Sequence, residues 1–339
     1  MKHGLLTFVR LLFTFLLFGT LSGWAQSAAR PMPARTQAAN AQQEANIQDA
    51  GARLNPNKIA LLHWYLANTA TTVLGVGNQP IGLCFDGANI WSANYADNTV
   101  SKVRANDGAV LGTFAVGHQP YGVTFDGADV WVSNGLDSTV TKLRASDGKS
   151  LGTFPVGNGP SWMAFDGQNI WVTNAPDNTV SKLRASDGKN MGTFAVGNNP
   201  IAAAFDGANI WVTNYLGNTV TKLRVSDGTV LGTFAVGQAP LGIAFDGVDM
   251  WVANRNSGTV SKLRASDGTL LATYQAPAGP YGVAFDGHYV WLSGDLYTRV
   301  LRASDGVEIW ELKIGTVGVA FDGASIWMAD TNGNALLRF

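Results

Sequence analysis

"FDGANIWVTN" (205–214) recurs with small changes along most of this chain. Its Phe reappears at 85, 125, 165, 205, 245, 285 and 321, the first five intervals being 40 residues and the last 36. A Trp stands six residues after each Phe, from Trp91 to Trp327, and a second Asp-Gly pair closes six of the units. Self-similarity at this period marks a repeat architecture, so the unit has to be read before any single residue.

One unit, "PYGVTFDGADVWVSNGLDSTVTKLRASDGKSLGTFPVG" (120–157), divides into four runs of strand length. The runs are "YGVTF", "DVWVSN", "STVTKLRAS" and "SLGTFPV", rich in Val, Thr, Phe and Trp. Asp-Gly, a polar "NGLDS", Asp-Gly again and a "VGxxP" turn separate them, which is the punctuation of antiparallel strands. No window shows sustained helical spacing. Four strands per 40 residues, seven times over, predict an all-β fold, a seven-bladed β-propeller with four-stranded blades. The chain finishes on "NALLRF" (334–339), which aligns with a third strand, and "TTVLGVG" (71–77) matches a fourth. The N-terminal strand over 71–77 is therefore expected to complete the last blade and cover its edge.

Within the unit, Asp206 and its equivalents read as turn acceptors beside a Gly that supplies positive φ. The seven Trp read as aromatic wedges between radially arranged blades. Lys102, Lys142, Lys182, Lys222 and Lys262, with Arg302 and Arg338 as counterparts, recur on the third strand and are expected to carry their charge to water. Cys84 is the only cysteine, which excludes an intramolecular disulfide, and other copies carry Thr or Ala in its place.

Outside the repeats, Lys2, His3 and Arg10 precede the apolar "LLFTFLLFGTL" (11–21), and "GWA" (23–25) offers small residues around a cleavage point before Gln26. Residues 1–25 are thus expected to be a signal peptide and the protein secreted, periplasmic or cell-surface. Cleavage would leave 21 basic and 24 acidic residues, a formal −3, with no transmembrane span and no basic excess for nucleic acid. Residues 26–54, rich in Ala and Gln, read as a flexible linker. "NPNKIALLHWYLAN" (55–68) has a capping Asn, Pro at the first helical position and Ile59, Leu62 and Leu66 on one face. A short helical segment over 55–70, docked on the propeller (71–339), is expected.

"WVTN" (171–174, 211–214), "WVSN" (131–134) and "WVAN" (251–254), followed by "NTVSKLR" and "LGTFAVGNNP", resemble the YVTN-type β-propeller repeat proteins over residues 71–339. That resemblance implies the propeller fold and an extracytoplasmic or surface-associated setting, and says little about activity. By architecture, a more distant resemblance is to the seven-bladed streptogramin (virginiamycin B) lyases. It implies His and Glu side chains holding a magnesium ion at the ring's centre. After the linker this chain offers only His63, His118, His288, Glu308 and Glu311, which do not match that set.

In a propeller, one face is built from the links between strands four and one and between strands two and three, and these are where the copies differ. Candidate ligand-binding residues on that face are Asn78, His118, Asn158, Asn198, Gln238, Tyr95, Trp162, Arg255 and Asp295. Amides offer hydrogen bonds, and Tyr95, Tyr121, Trp162, Tyr215 and Tyr281 offer stacking surfaces. Blade six has a shorter loop, "SGDLYTRV", and its link to blade seven lacks two residues, so a groove beside Asp295 and Tyr297 is expected there. No catalytic residue and no cofactor is assigned. The expectation is a monomeric, non-enzymatic scaffold that binds a protein or a glycan. The alternative is a lactonase- or lyase-like enzyme at the channel mouth, with a divalent cation.

Overall fold

The computed structural model describes residues 71–73 and 75–339, in seven antiparallel four-stranded sheets that form the blades of a β-propeller. Blade four shows the pattern: Pro200–Phe205, Asn209–Asn214, Thr219–Arg224 and Val230–Ala235, from the axis outward. There are no helices among the described residues. The signal peptide, linker and helical segment expected before residue 71 lie outside them. In blade seven the backbone of Thr71–Val73 runs antiparallel to Ala335–Arg338, Thr71 opposite Arg338, while Gly75–Gly77 belongs to no strand.

The Asp-Gly turn does more than reverse the chain. Asp206 Oδ1 accepts the backbone N–H of Ala208 and Asn209, at 2.8 and 2.6 Å, and Oδ2 accepts the Trp211 indole N–H at 2.7 Å. The same bond from indole to Asp is made by all seven Trp, at 2.7–2.8 Å. Each Trp thus has its one polar atom satisfied and can be buried whole, which contributes roughly 1.5–3 kcal/mol per side chain. Trp91 packs on Val123, Val130, Val132 and Leu143 of the next blade, so it is a wedge between blades.

The lysines depart from their expected place in water. Lys102, Lys142, Lys182 and Lys222 are buried, only 6–8% exposed. Their stems cross the joint between blades, and Nζ donates to a carbonyl of the following blade: Ala145, Ala185, Val225 and Ala265, at 2.6–2.7 Å. Each ammonium also sits 4.9–5.3 Å from the centre of its blade's Trp ring. Strand pairing sets Trp next to Lys, and the aromatic face plus the carbonyl compensate the charge that water would otherwise solvate. Lys262 does the same to Ala303, and Arg338 to Asn106 of blade one.

Arg302 is not a counterpart. The pairing keeps the register of the other blades, so that Trp291 faces Val300, which stands in the lysine's place, and Arg302, like Arg144, pairs beside the turn and with its Asp. The joint between blades six and seven is accordingly apolar, with Trp291 set against Trp310 and Phe339.

The Ser or Thr of the WV[ST]N stretch makes a second joint nearer the axis. Thr213 Oγ1 donates to Leu241 O at 2.8 Å, and Ser133 and Thr173 reach Ser161 O and Ile201 O of their neighbours. Asn214, which ends the stretch, donates through Nδ2 to Thr219 and Thr221 within its own blade.

Candidate functional site

The inner strands converge on the axis because five carry Gly at their third position. A Cβ on Gly122 would stand 2.6 Å from Ser161 O and 2.8 Å from the Trp162 Cα, so a side chain there would push the neighbouring strand away. What remains at the centre is a channel of about 260 Å3 lined by all seven inner strands. Its lining side chains are mostly apolar, Leu83, Val123, Met163, Ile243 and Val319 among them, with the small polar groups of Cys84 and Thr124, while polar atoms make up about half of the exposed wall. Burial first, and the charge of Asp86 second, push the Cys84 thiol up, so it is a protonated, unreactive group at neutral pH.

Blade three breaks the Gly rule with Trp162, which is half-exposed and lines the channel just below its mouth. Its ring meets Tyr121 edge-on at 4.8 Å, and Tyr121 meets Tyr95 edge-on at 5.8 Å. These three form an aromatic arc across blades one to three. Burial, then Tyr281 and Tyr95, raise the Tyr121 phenol against the opposing effect of Arg255, so it stays a neutral donor. Above the arc lies a recess of about 290 Å3 lined by Tyr95, Gln119, Tyr121, Ser161, Asn199 and Leu241, among others.

Across the mouth, Arg255 lies flat on Tyr281, 3.9 Å from the ring centre, and Nη2 reaches Asp295 at 3.3 and 3.4 Å. Beside them the shortened rim of blade six leaves a hollow of about 210 Å3 between blades six and seven. Asp295, Thr316 and Asn332 line it, and Tyr297 does not.

The exposed amides are placed differently from Tyr95, Trp162 and Arg255. Asn78 Nδ2 donates to Asp97 at 2.8 Å, Asn158 Nδ2 to Asp177 at 2.9 Å, and His118 Nδ1 lies 2.9 Å from Asp137. The same carboxylates accept the backbone N–H of Asn78, Asn158 and His118, so each closes a clasp between two loops of one blade. His118, solitary in the sequence, has an acidic partner in space. These backbone and side-chain bonds hold Asp137 and Asp177 below the usual carboxylate range. Gln238 is held through its backbone N–H by Ser257 Oγ. Asn198 is exposed and accepts the backbone N–H of Leu216 and Gly217.

The amide side chains that line the recess are one residue further on, Gln119 and Asn199, the second members of the variable pairs His118-Gln119 and Asn198-Asn199. Gln119 and Asn199 adopt φ of 51° and 56°, and both line the recess above the aromatic arc. Their backbone N–H groups are held by Asn98 and Asn178 Oδ1. Among the described residues, no three His, Cys, Asp or Glu side chains come together. No described helix is long and apolar enough to cross a membrane.

No protein-family model matches the sequence, and no curated protein sequence matches it. Solved structures do match, with nearly their whole length aligned. A streptogramin B lyase superposes with a TM-score of 0.68 at 18% identity, over 79% of this chain and 96% of its own. The virginiamycin B lyase of Staphylococcus aureus gives 0.68 at 18%, over 80% and 97%. The hydrazine synthase of Kuenenia stuttgartiensis gives 0.68 at 17%, over 77% and 95%. At this identity the likeness is one of fold, and two enzymes of different chemistry share it: the chain is a seven-bladed β-propeller of the architecture seen in the streptogramin B lyases.

Proposed function

We propose that this protein is an exported, non-enzymatic propeller that binds a protein or a glycan at the cell envelope or beyond it, through the mouth of its channel. The observation that carries this reading is the aromatic arc of Tyr95, Tyr121 and Trp162, half-exposed at the mouth, where Trp162 breaks the repeat. Residues that break a repeat are not needed to build it, and aromatic surface in a concavity is what binding sites are made of. The carboxylates of that face support the same reading, because Asp97, Asp137 and Asp177 are engaged in loop clasps. The N-terminal sequence supports export, and the YVTN-like repeats agree with an extracytoplasmic setting.

Co-sedimentation of the purified chain with isolated cell-envelope material tests the reading. Wild type is expected to be retained, and Tyr121→Ala to lose about fivefold or more of its affinity, ~1 kcal/mol. Equal retention of both proteins overturns it, as does magnesium-dependent cleavage of a streptogramin or lactone that requires the mouth.

A further inference from the structure

The recess at the mouth has a cause in the sequence. The second residue of the inner strand is large in six blades: Ile81, Tyr121, Ile201, Leu241, Tyr281 and Val317. Only blade three has a small one, Ser161. The volume it leaves, between Tyr121 and Ile201, opens the recess of about 290 Å3. That is the lower end of the range of small-molecule sites, roughly 300–1,000 Å3, and suits one six-membered ring rather than an extended chain.

Its chemistry is specific. Tyr95, Tyr121, Pro160, Ile201 and Leu241 give apolar walls, and no charged side chain lines it. Among the described residues the hydroxyls of Tyr95 and Tyr121 and the side-chain amides of Gln119 and Asn199 make no hydrogen bond. None of them is a buried orphan, so all four face solvent. A charged group entering would lose water against no countercharge. A ring with one apolar face and a rim of hydroxyls would find both an aromatic wall and neutral donors and acceptors.

We propose that the recess binds a single neutral pyranose unit of a glycan, its apolar face on Tyr121 and its hydroxyls on Gln119 and Asn199. This rests on the mouth being the binding surface and names the ligand class. Saturation-transfer NMR on the full chain tests it, using neutral disaccharides of the glucose, galactose, mannose and N-acetylglucosamine types, with uronic-acid disaccharides for comparison. At least one neutral sugar is expected to bind, with a Kd of about 1 mM, and the uronic acids more weakly.

Two variants report on the site without dismantling the fold. Ser161→Ile restores a side chain found in two other blades and is expected to abolish the transfer while leaving the melting temperature unchanged. Gln119→Ala copies Ala239, which holds the same turn at φ 54°, and is expected to weaken binding at least about threefold. No binding by any neutral sugar, or binding that survives Ser161→Ile, overturns the proposal. Envelope retention that Tyr121→Ala lowers, without sugar binding, removes the glycan and leaves the mouth as a protein-binding surface. Loss of both signals removes both readings.

Discussion

Asp86 shows how much one repeated residue does. Burial pushes its carboxyl up, but bonds from the Trp91 indole, the Asn89 amide and the backbone N–H of Ala88 and Asn89 outweigh it and hold it below the ordinary value of 3.8. A carboxylate depressed by folding contributes stability that is fully present above the unfolded value and is lost as pH falls through the folded one. The melting temperature is therefore expected to fall as pH drops below that ordinary value. Asp86→Asn is expected to be less stable at neutral pH by about 1–3 kcal/mol, because an amide N–H then meets an indole N–H, and to show a shallower acid slope. Thermal melts of both proteins across that range check it, and parallel slopes would refute the assignment. The turn role of this Asp was legible in the sequence from its Gly. Its bond to Trp was not, since nothing in a spacing of five residues says which oxygen points where.

At the scale of the strand, pattern told which residues repeat and mistook what some of them do. Lys at a fixed place on an outer strand has the signature of a solvated face, and only the pairing of Trp211 with Lys222 reveals that the stem must cross to the next blade. Lys182→Met keeps the stem and removes the donor to Val225 O. It is expected to cost about 1–3 kcal/mol by leaving that carbonyl without its partner, seen as a lower denaturation midpoint. Arg184→Met on the same strand, whose partner is the exposed Asp187, is expected to change it much less. The misassignment of Arg302 came from counting forward from Trp291 across a loop two residues shorter; counted back from the Asp-Gly turn, "LRASDG" (301–306) matches 143–148 and puts Val300 in the lysine's place. Which amide of a pair lines the recess, Asn198 or Asn199, depends on a backbone angle that the sequence does not display.

For the whole ring, the fold was legible almost completely, since period, strand length and turn chemistry all agree, and agreement across levels is what specifies one structure. The mouth was legible as a place and not as a site: Tyr95 and Trp162 were named as stacking surfaces among other aromatics, while the recess is a missing volume that only the assembled ring displays. Closure gives a test of its own. Thr71–Val73 covers an edge of blade seven that would otherwise present unpaired backbone groups. A chain beginning at 75 is expected to melt several degrees lower than one beginning at 71, with more aggregation on heating. Identical melting of the two would show that the strand adds nothing to the ring.

The turn that presents Gln119 and Asn199 holds Gln79, Gly159, Ala239 and Gly279 in the same left-handed conformation elsewhere in the ring. Its shape is set by what the backbone N–H and carbonyl are tied to, but the space above it differs: a Cβ at Gly159 would stand 2.7 Å from Pro176 Cδ, one at Gly279 would run into the Asp295 carboxylate, and Ala239 is already buried. Around one rim the protein thus owns a few display positions, Gln79, Gln119 and Asn199, whose side chains can be rewritten one residue at a time, and a change of ligand there need not become a change of fold.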